Sequence, residues 1–284
     1  MAQLAPTLDA ASGVPALSGA FARPFKDVVV LTRRNLIHIA REPLQLSDVL
    51  IQPVMFTLLF VYVLGSGISL AGGGSYKEFA IAGLVALNLT TSVMGTAVGL
   101  TTDLNTGTID RFRALPIWRA AVLVSRSVSD ILSAVLCATM VLLTGLVIGW
   151  RPHTSVPEFV AGFAIALLFS YALIWATACL GMVTEGPESA QGIGLVILFP
   201  LAIVSNAMVP TAGMPAFVRA IADWNPVSAV SAATRDLFGN PNPSAASHAW
   251  PMQHPVVAGV LWSIGILAVA APLAVHLYRG RTTD

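Results

Sequence analysis

Charge is what this sequence has least of. Only 10% of its 284 residues are Asp, Glu, Lys or Arg, while 56% are hydrophobic, and the mean hydropathy is +0.78. A water-soluble chain of this length needs more charge to cover its surface, so lipid must cover much of this one. The formal net charge of +1 gives no basic stripe for a nucleic-acid partner. Cysteine is nearly absent. Cys137 and Cys179 both fall in apolar runs and read as packing residues, not as a disulfide or a metal pair. His248 and His254 share one loop and read as solvated, so no metal site is expected. The lysines are Lys26 and Lys77, and neither stands in GxxxxGK[ST]. Without that lysine over the phosphates the chain has no P-loop and is not itself an ATPase.

What is present is long apolar runs. A hydrocarbon core about 30 Å thick takes roughly 20 apolar residues per helix. Six segments fit, at 47–70, 79–102, 127–149, 158–183, 189–209 and 256–278. The fold class is therefore all-α integral membrane with six transmembrane helices, because lipid cannot satisfy an open sheet edge. With both termini in the cytoplasm, eleven of the fifteen basic residues lie inside. Lys77, Arg151, Arg219 and Arg235 are then outside. The loop at 184–188 carries only Glu185 and Glu188 and gives no guidance.

Residues 1–22 read as a disordered cytoplasmic tail. Residues 23–46 read as an amphipathic helix lying in the inner membrane surface. Phe25, Val28, Val29, Leu36, Ile39 and Ala40 recur at helical spacing, and Lys26, Arg33, Arg34 and Arg41 occupy another face. A plain basic anchor beside the membrane is the alternative. Pro43 ends this element, and 47–284 forms one six-span domain.

No Asp, Glu, Lys or Arg falls at mid-depth in the six spans; Asp103 and Asp130 lie near their ends. Ion-coupled carriers keep titratable groups there, so ion coupling is not expected and the cargo should be apolar or amphipathic. The pathway candidates are uncharged: Asn88, Ser92, Thr96 and Asn206. Gly95 and Gly99 form a GxxxG pair, which admits close packing within the subunit, a pathway face or a dimer seam.

Two further segments carry polar chemistry. The cytoplasmic loop 103–126 combines Asp103, Gly107, Arg111, Arg113 and Pro116 with Phe112 and Trp118. Arg and aromatic anchors suit docking into a soluble partner, and a topogenic basic loop is an equal alternative. The outer segment 205–255 holds two short helices. One begins near Pro215 and ends at Trp224. The other has Asn225 as N-cap and Pro226 at its first position, contains Arg235 and stops at Gly239.

Four stretches together resemble the ABC-2 type permeases, and within them the daunorubicin-resistance-type exporter subunits. They are QPVMFTLLFVYVLGSGIS at 52–69, the loop with Asp103, Gly107, Arg113, Pro116 and Arg126, GPESAQGIGLVILFPLAIVSNAMVP at 186–210, and MPAFVRAIADWNPVSAVSAATRDLFG at 214–239. The resemblance implies a permease of the plasma membrane, the inner membrane in bacteria, exporting drugs or lipids, with polysaccharide precursors carried by relatives. It implies a second permease subunit, identical or closely related, and two cytoplasmic ATPase subunits that bind the ATP and Mg. It makes 103–119 the coupling helix, 23–46 the connecting helix and 205–239 outer re-entrant helices. Many relatives carry Glu where this chain has Asp103. A membrane-embedded lipid-modifying enzyme and an ion-coupled carrier are the rival classes; the first needs an acidic or His cluster at one interface, the second a mid-depth charge.

Overall fold

Buried in hydrocarbon, a peptide group must find its partner within the chain, and a helix does this locally. The computed structural model describes residues 22–68, 75–107 and 121–280, and among these it contains helices and turns with no strand. The helices are α1 (Ala22–Arg41), α2 (Pro43–Leu59, running on as a π-helical turn Phe60–Leu64), α3 (Tyr76–Ser92), α4 (Met94–Asn105), α5 (Ala121–Val147), α6 (Val156–Val183), α7 (Pro187–Ile203), α8 (Ala216–Trp224), α9 (Pro226–Phe238), α10 (Trp250–Gln253) and α11 (Pro255–Gly280).

Five segments among the described residues are long and apolar enough to cross a bilayer: Leu46–Leu64, Tyr76–Asn105, Val122–Val147, Val156–Val183 and Pro255–Tyr278. They correspond to the first, second, third, fourth and sixth expected spans. The expected fifth, 189–209, differs. Its helix α7 has 17 residues and leaves helical geometry at Val204 (φ −82°, ψ 62°). That is about 25 Å of helix against a core of about 30 Å. The physical reason is a side chain from outside the helix. Asn225 Nδ2 donates to Leu201 O (2.7 Å) and Val204 O (2.5 Å), occupying carbonyls that a further helical turn would have used.

α3 is the central element, with every residue from Phe79 to Thr90 buried. Ala80, Ala82, Gly83 and Ala86 keep its girth small, so α5, α6, α7 and α9 all pack against it. The helix breaks at Val93, where ψ is −11°. Thr90, Thr91 and Ser92 donate hydroxyls to carbonyls three or four residues back, a habit that bends helices. α1 packs on α5 through Leu31 and Thr32, with Thr32 Oγ1 donating to Ser125 O at 3.4 Å. Val29, placed on the apolar face by spacing, is exposed together with Val30. Contact with α5 selects the buried face of this helix.

The end of the bundle that holds 204–254 is closed by a cap, here termed the cap end. Arg235 of α9, counted above among the outside cations, lies at 0% exposure. Its Nε donates to Phe79 O (3.0 Å), Nη1 to Asn206 Oδ1 (3.1 Å), and Nη2 to Asn206 O (2.7 Å) and Ala207 O (2.8 Å). The guanidinium also stands 3.8 Å from the Phe79 ring centroid. Tyr76 OH donates to Met208 O (2.9 Å). The turn comes so close to α3 that a Cβ on Gly83 would collide with Ala207 O. Asn225 Oδ1 accepts from Val227 N (2.8 Å) and starts α9, and Gly239, at φ 67°, ends it.

Replacing Arg235 by Met strands the Asn206 and Ala207 carbonyls in an apolar setting. At about 1–3 kcal/mol per orphaned group, thermal unfolding in lipid nanodiscs should show a marked loss of stability. Arg235→Lys should recover only part of it, since an ammonium cannot reproduce the planar fork. Unchanged melting of Arg235→Met would contradict the assignment.

Candidate functional site

The opposite end of the bundle, the loop end, holds the ion pairs of Arg126 with Asp103 and Asp130. α4 presents Gly95 and Gly99 one turn apart. No helix backbone fills the notch. The Arg126 side chain of α5 does, and a Cβ on Gly99 would collide with its guanidinium, whereas a Cβ on Gly95 would meet nothing within 4 Å. Arg126 is held on three sides. Its Nη2 donates to Gly95 O (2.9 Å), its Nε pairs with Asp130 Oδ2 (3.2 Å), and its Nη1 stands 3.5 Å from Asp103 Oδ2. Thr96 Oγ1 donates to the same Asp130 oxygen at 2.7 Å. The Arg126, Asp103 and Asp130 side chains are 21%, 26% and 13% exposed, so the cluster is neither sealed nor fully wet. A pair in that setting is worth little for stability alone but fixes one geometry.

The other side of α4 is fastened to the α6–α7 hairpin. Thr101 Oγ1 donates to Gly181 O (2.9 Å) and lies 3.2 Å from Thr184 Oγ1. Asn105 Nδ2 donates to Glu185 O (2.8 Å). Gly181 has no side chain because Ala97 O would lie 2.6 Å from its Cβ. α4 is thus a short rod gripped by α5 and by the α6–α7 turn, and it leads directly into the 108–120 segment. Gly107 ends the rod at φ 66° with open space around it, so conformation rather than crowding calls for glycine there.

Of the coupling residues expected from sequence, Asp103 is in this cluster and Gly107 is the turn after it; Arg111, Arg113 and Pro116 lie outside the described residues. The four pathway candidates do not share a face. Asn88 is buried and donates to Leu84 O of its own helix. Asn206 belongs to the cap, with Nδ2 donating to Ser244 Oγ (2.8 Å). Ser92 is exposed at the end of α3, and Thr96 is engaged by Asp130. Pro215 and Pro226 precede and begin α8 and α9. Arg126 and Asp130 are the residues that sequence reasoning undervalued. Their i,i+4 spacing at a span end was the available signal.

Among the described residues no cluster of metal-ligating side chains occurs. An open groove of about 460 Å³ lies between α6 and α11, against Cys179, Trp262, Gly265, Ile266 and Val269. It offers no charged group to fix a ligand.

A bundle with five helices long and apolar enough to cross a bilayer is a multi-pass membrane-protein architecture. The ABC-2 type transporter family model matches residues 26–238, and the chain belongs to that family. It is 31% identical over 239 residues to the daunorubicin resistance ABC transporter permease protein DrrB1 of Streptomyces coeruleorubidus, covering 84% of this chain and 81% of that one. It is 26% identical over 262 residues to the probable doxorubicin resistance ABC transporter permease protein DrrC of Mycobacterium tuberculosis, covering 88% of each chain. A putative transport permease, ycf38 of Pyropia yezoensis, is 23% identical over 220 residues, 76% of this chain and 75% of that one.

The notch separates the two glycines. Gly99→Ala should expel Arg126 and lower the melting temperature, while Gly95→Ala should leave it unchanged or raise it through better helix propensity, by about 1 kcal/mol at most. Equal damage from both would restore a helix–helix seam at this site.

Proposed function

We propose that the chain is the membrane-spanning permease subunit of an ATP-driven exporter, moving an apolar or amphipathic drug or lipid across the plasma membrane. The ATPase is a separate cytoplasmic polypeptide present in two copies, and it holds the ATP and Mg. The observation that carries this reading, beside family membership, is the rod α4. Its last residues, from Asp103, begin the proposed 103–119 docking element, and it is gripped by Arg126 and by the α6–α7 turn. A push on that segment by the closing ATPase dimer moves α4 about the break at Val93. The push then passes to α5 through Arg126 and to α6 and α7 through Thr101 and Asn105. Asp103, Gly107, Arg111, Arg113 and Pro116 form the coupling region, and Ser92 and Thr96 stand where it meets the pathway.

In this reading the chain crosses the membrane six times, α7 serving as the fifth crossing, with both termini cytoplasmic. α1 lies along the inner surface. α8 and α9 re-enter the outer leaflet and close it. The exposed apolar stripes of α2 (Ile51, Met55, Tyr62) and α7 (Ile193, Val196, Ile197) support pairing with a second permease subunit and contact with lipid. Ion coupling is disfavoured because the one arginine buried in the cap has its nitrogens committed to protein acceptors and is not free to bind and release a coupling ion.

Vesicles holding this chain and its partner ATPase should export drug or fluorescent-lipid probes only with hydrolysable ATP, and Arg113→Glu should weaken capture of the ATPase while leaving membrane insertion intact. Transport by the purified chain alone on a proton or sodium gradient would overturn the proposal.

A further inference from the structure

The two helices that grip α4 at the loop end meet again at the cap end. α5 holds α4 through Arg126, whose Nη2 donates to Gly95 O, and α6 holds it through Gly181 O, which accepts from Thr101 Oγ1. Among the described spans, α5 and α6 alone run without a break or an internal proline. α2 and α11 contain Pro53 and Pro272, and α3 is parted from α4 at Val93. From Arg126 to Val147, α5 measures about 32 Å, the full depth of a hydrocarbon core of about 30 Å. A displacement imposed at one end of such a helix arrives at the other.

At the cap end α5 is fixed beyond its last residue. Gly149 turns the chain at φ 91°, its N–H donating to Leu146 O (3.2 Å) and the Trp150 N–H to Gly145 O (2.8 Å). That pair of bonds is a Schellman stop. Lys77 Nζ closes Ile148 O (3.0 Å) and Arg151 Nη1 closes Leu146 O (2.7 Å). Trp150 is therefore a rigid extension of α5. α9 stops in the same way, with Gly239 N–H donating to Asp236 O (3.2 Å) and Asn240 N–H to Arg235 O (2.9 Å). The two stops face each other. Trp150, 1% exposed, donates its indole Nε1–H to Asn240 Oδ1 (3.0 Å), and Asn240 Nδ2 donates to Arg151 O (3.4 Å). His153 N–H donates to Phe238 O (2.9 Å). The Phe238 ring lies edge-on to Trp150 at 5.8 Å and stacks on Phe159 of α6 at 4.8 Å. A Cβ on Gly162 of α6 would press on that same ring. The end of α9 is thus clasped by α5 and α6 together, one turn after Arg235, which holds the Asn206–Ala207 turn.

We propose that the α5–α6 hairpin carries a displacement of α4 to the cap, and that Trp150 and Asn240 form its joint, as positioning residues for the export cycle. Coupling between distant sites travels through packed, rigid elements with contacts at both ends. α3 also packs on α9, but its continuity with α4 is interrupted at Val93. The hairpin has no such interruption, so it and the cap move as one body. The joint's use in export rests on the ATP-coupled reading above; the mechanical link between the two ends does not.

Two measurements separate link from use. In the chain alone, in lipid nanodiscs, the Trp150 indole N–H resonance is identified by its loss in Trp150→Phe. Gly99→Ala, which crowds Arg126 at the far end of α5, should shift that resonance, while Gly95→Ala leaves it in place. An unmoved resonance, or equal shifts from both glycine variants, overturns the link. If Gly99→Ala does not fold, Asp103→Asn, which releases Arg126 Nη1, takes its place. In vesicles with the partner ATPase, Trp150→Phe and Asn240→Leu should each lower the probe exported per ATP hydrolysed several-fold at unchanged capture of the ATPase. The double variant should fall no further, because both remove one bond. Wild-type export per ATP in both single variants overturns the joint, and so does a loss that merely follows a fall in melting temperature. Failure of the unaltered chain to export with ATP sinks the ATP-coupled reading and leaves the indole resonance to decide the link.

Discussion

Hydrocarbon offers no hydrogen bond, so a chain that leaves helical geometry inside a bilayer must meet its own freed carbonyls. The same demand holds for any turn buried in protein, and it organises the cap, where Ser205, Asn206 and Ala207 are buried. Where α7 stops, Leu201, Val204, Asn206, Ala207 and Met208 present carbonyls, and each is met by a side chain from elsewhere: the first two by Asn225, the next two by Arg235 and the last by Tyr76. The donors come from three places in the sequence, so satisfying the backbone also ties α3, α7 and α9 into one body. A buried guanidinium is costly to desolvate. It is tolerated because four acceptors and one ring face receive it.

The loop end is built on the opposite logic. There the ion pairs of Arg126 are partly exposed and can be exchanged for water at small cost, beside the buried hydroxyl bond from Thr101 to Gly181 O. Between the two ends runs one apolar stretch, Tyr76–Asn105, broken at Val93. Its first half is enclosed on all sides, and its second half is a rod held by Arg126, Thr101 and Asn105. A half buried from Phe79 to Thr90 is thus joined, through a break, to a half held on two sides by polar contacts.

Much of this was legible in the sequence, and the reasons are local. Apolar run length marked the spans. Asn225–Pro226 and Gly239 marked the ends of α9, because cap geometry depends on a handful of neighbouring residues. The early stop of α7 was hidden, since SNAMVP after Val204 is apolar enough to continue a span and the donor that stops the helix lies beyond 220. Arg235 read as a loop cation because its four acceptors are 28 or more residues away. Gly95 and Gly99 read as a packing pair, and only the tertiary structure tells that an arginine, not a helix, fills the notch, and that Gly99 alone makes room for it. The buried face of α1 was likewise set by α5. The coupling loop itself, with Arg111, Arg113 and Pro116, lies outside the described residues and rests on resemblance.

The asymmetry between the two halves of the Tyr76–Asn105 stretch is open to direct measurement by hydrogen–deuterium exchange of the reconstituted protein. Amides of α3, α9 and the 204–209 turn should exchange slowest of all, and those of α4 markedly faster, with the difference widening when ATP is bound by the partner. Exchange in the cap as fast as in α4 would contradict the account.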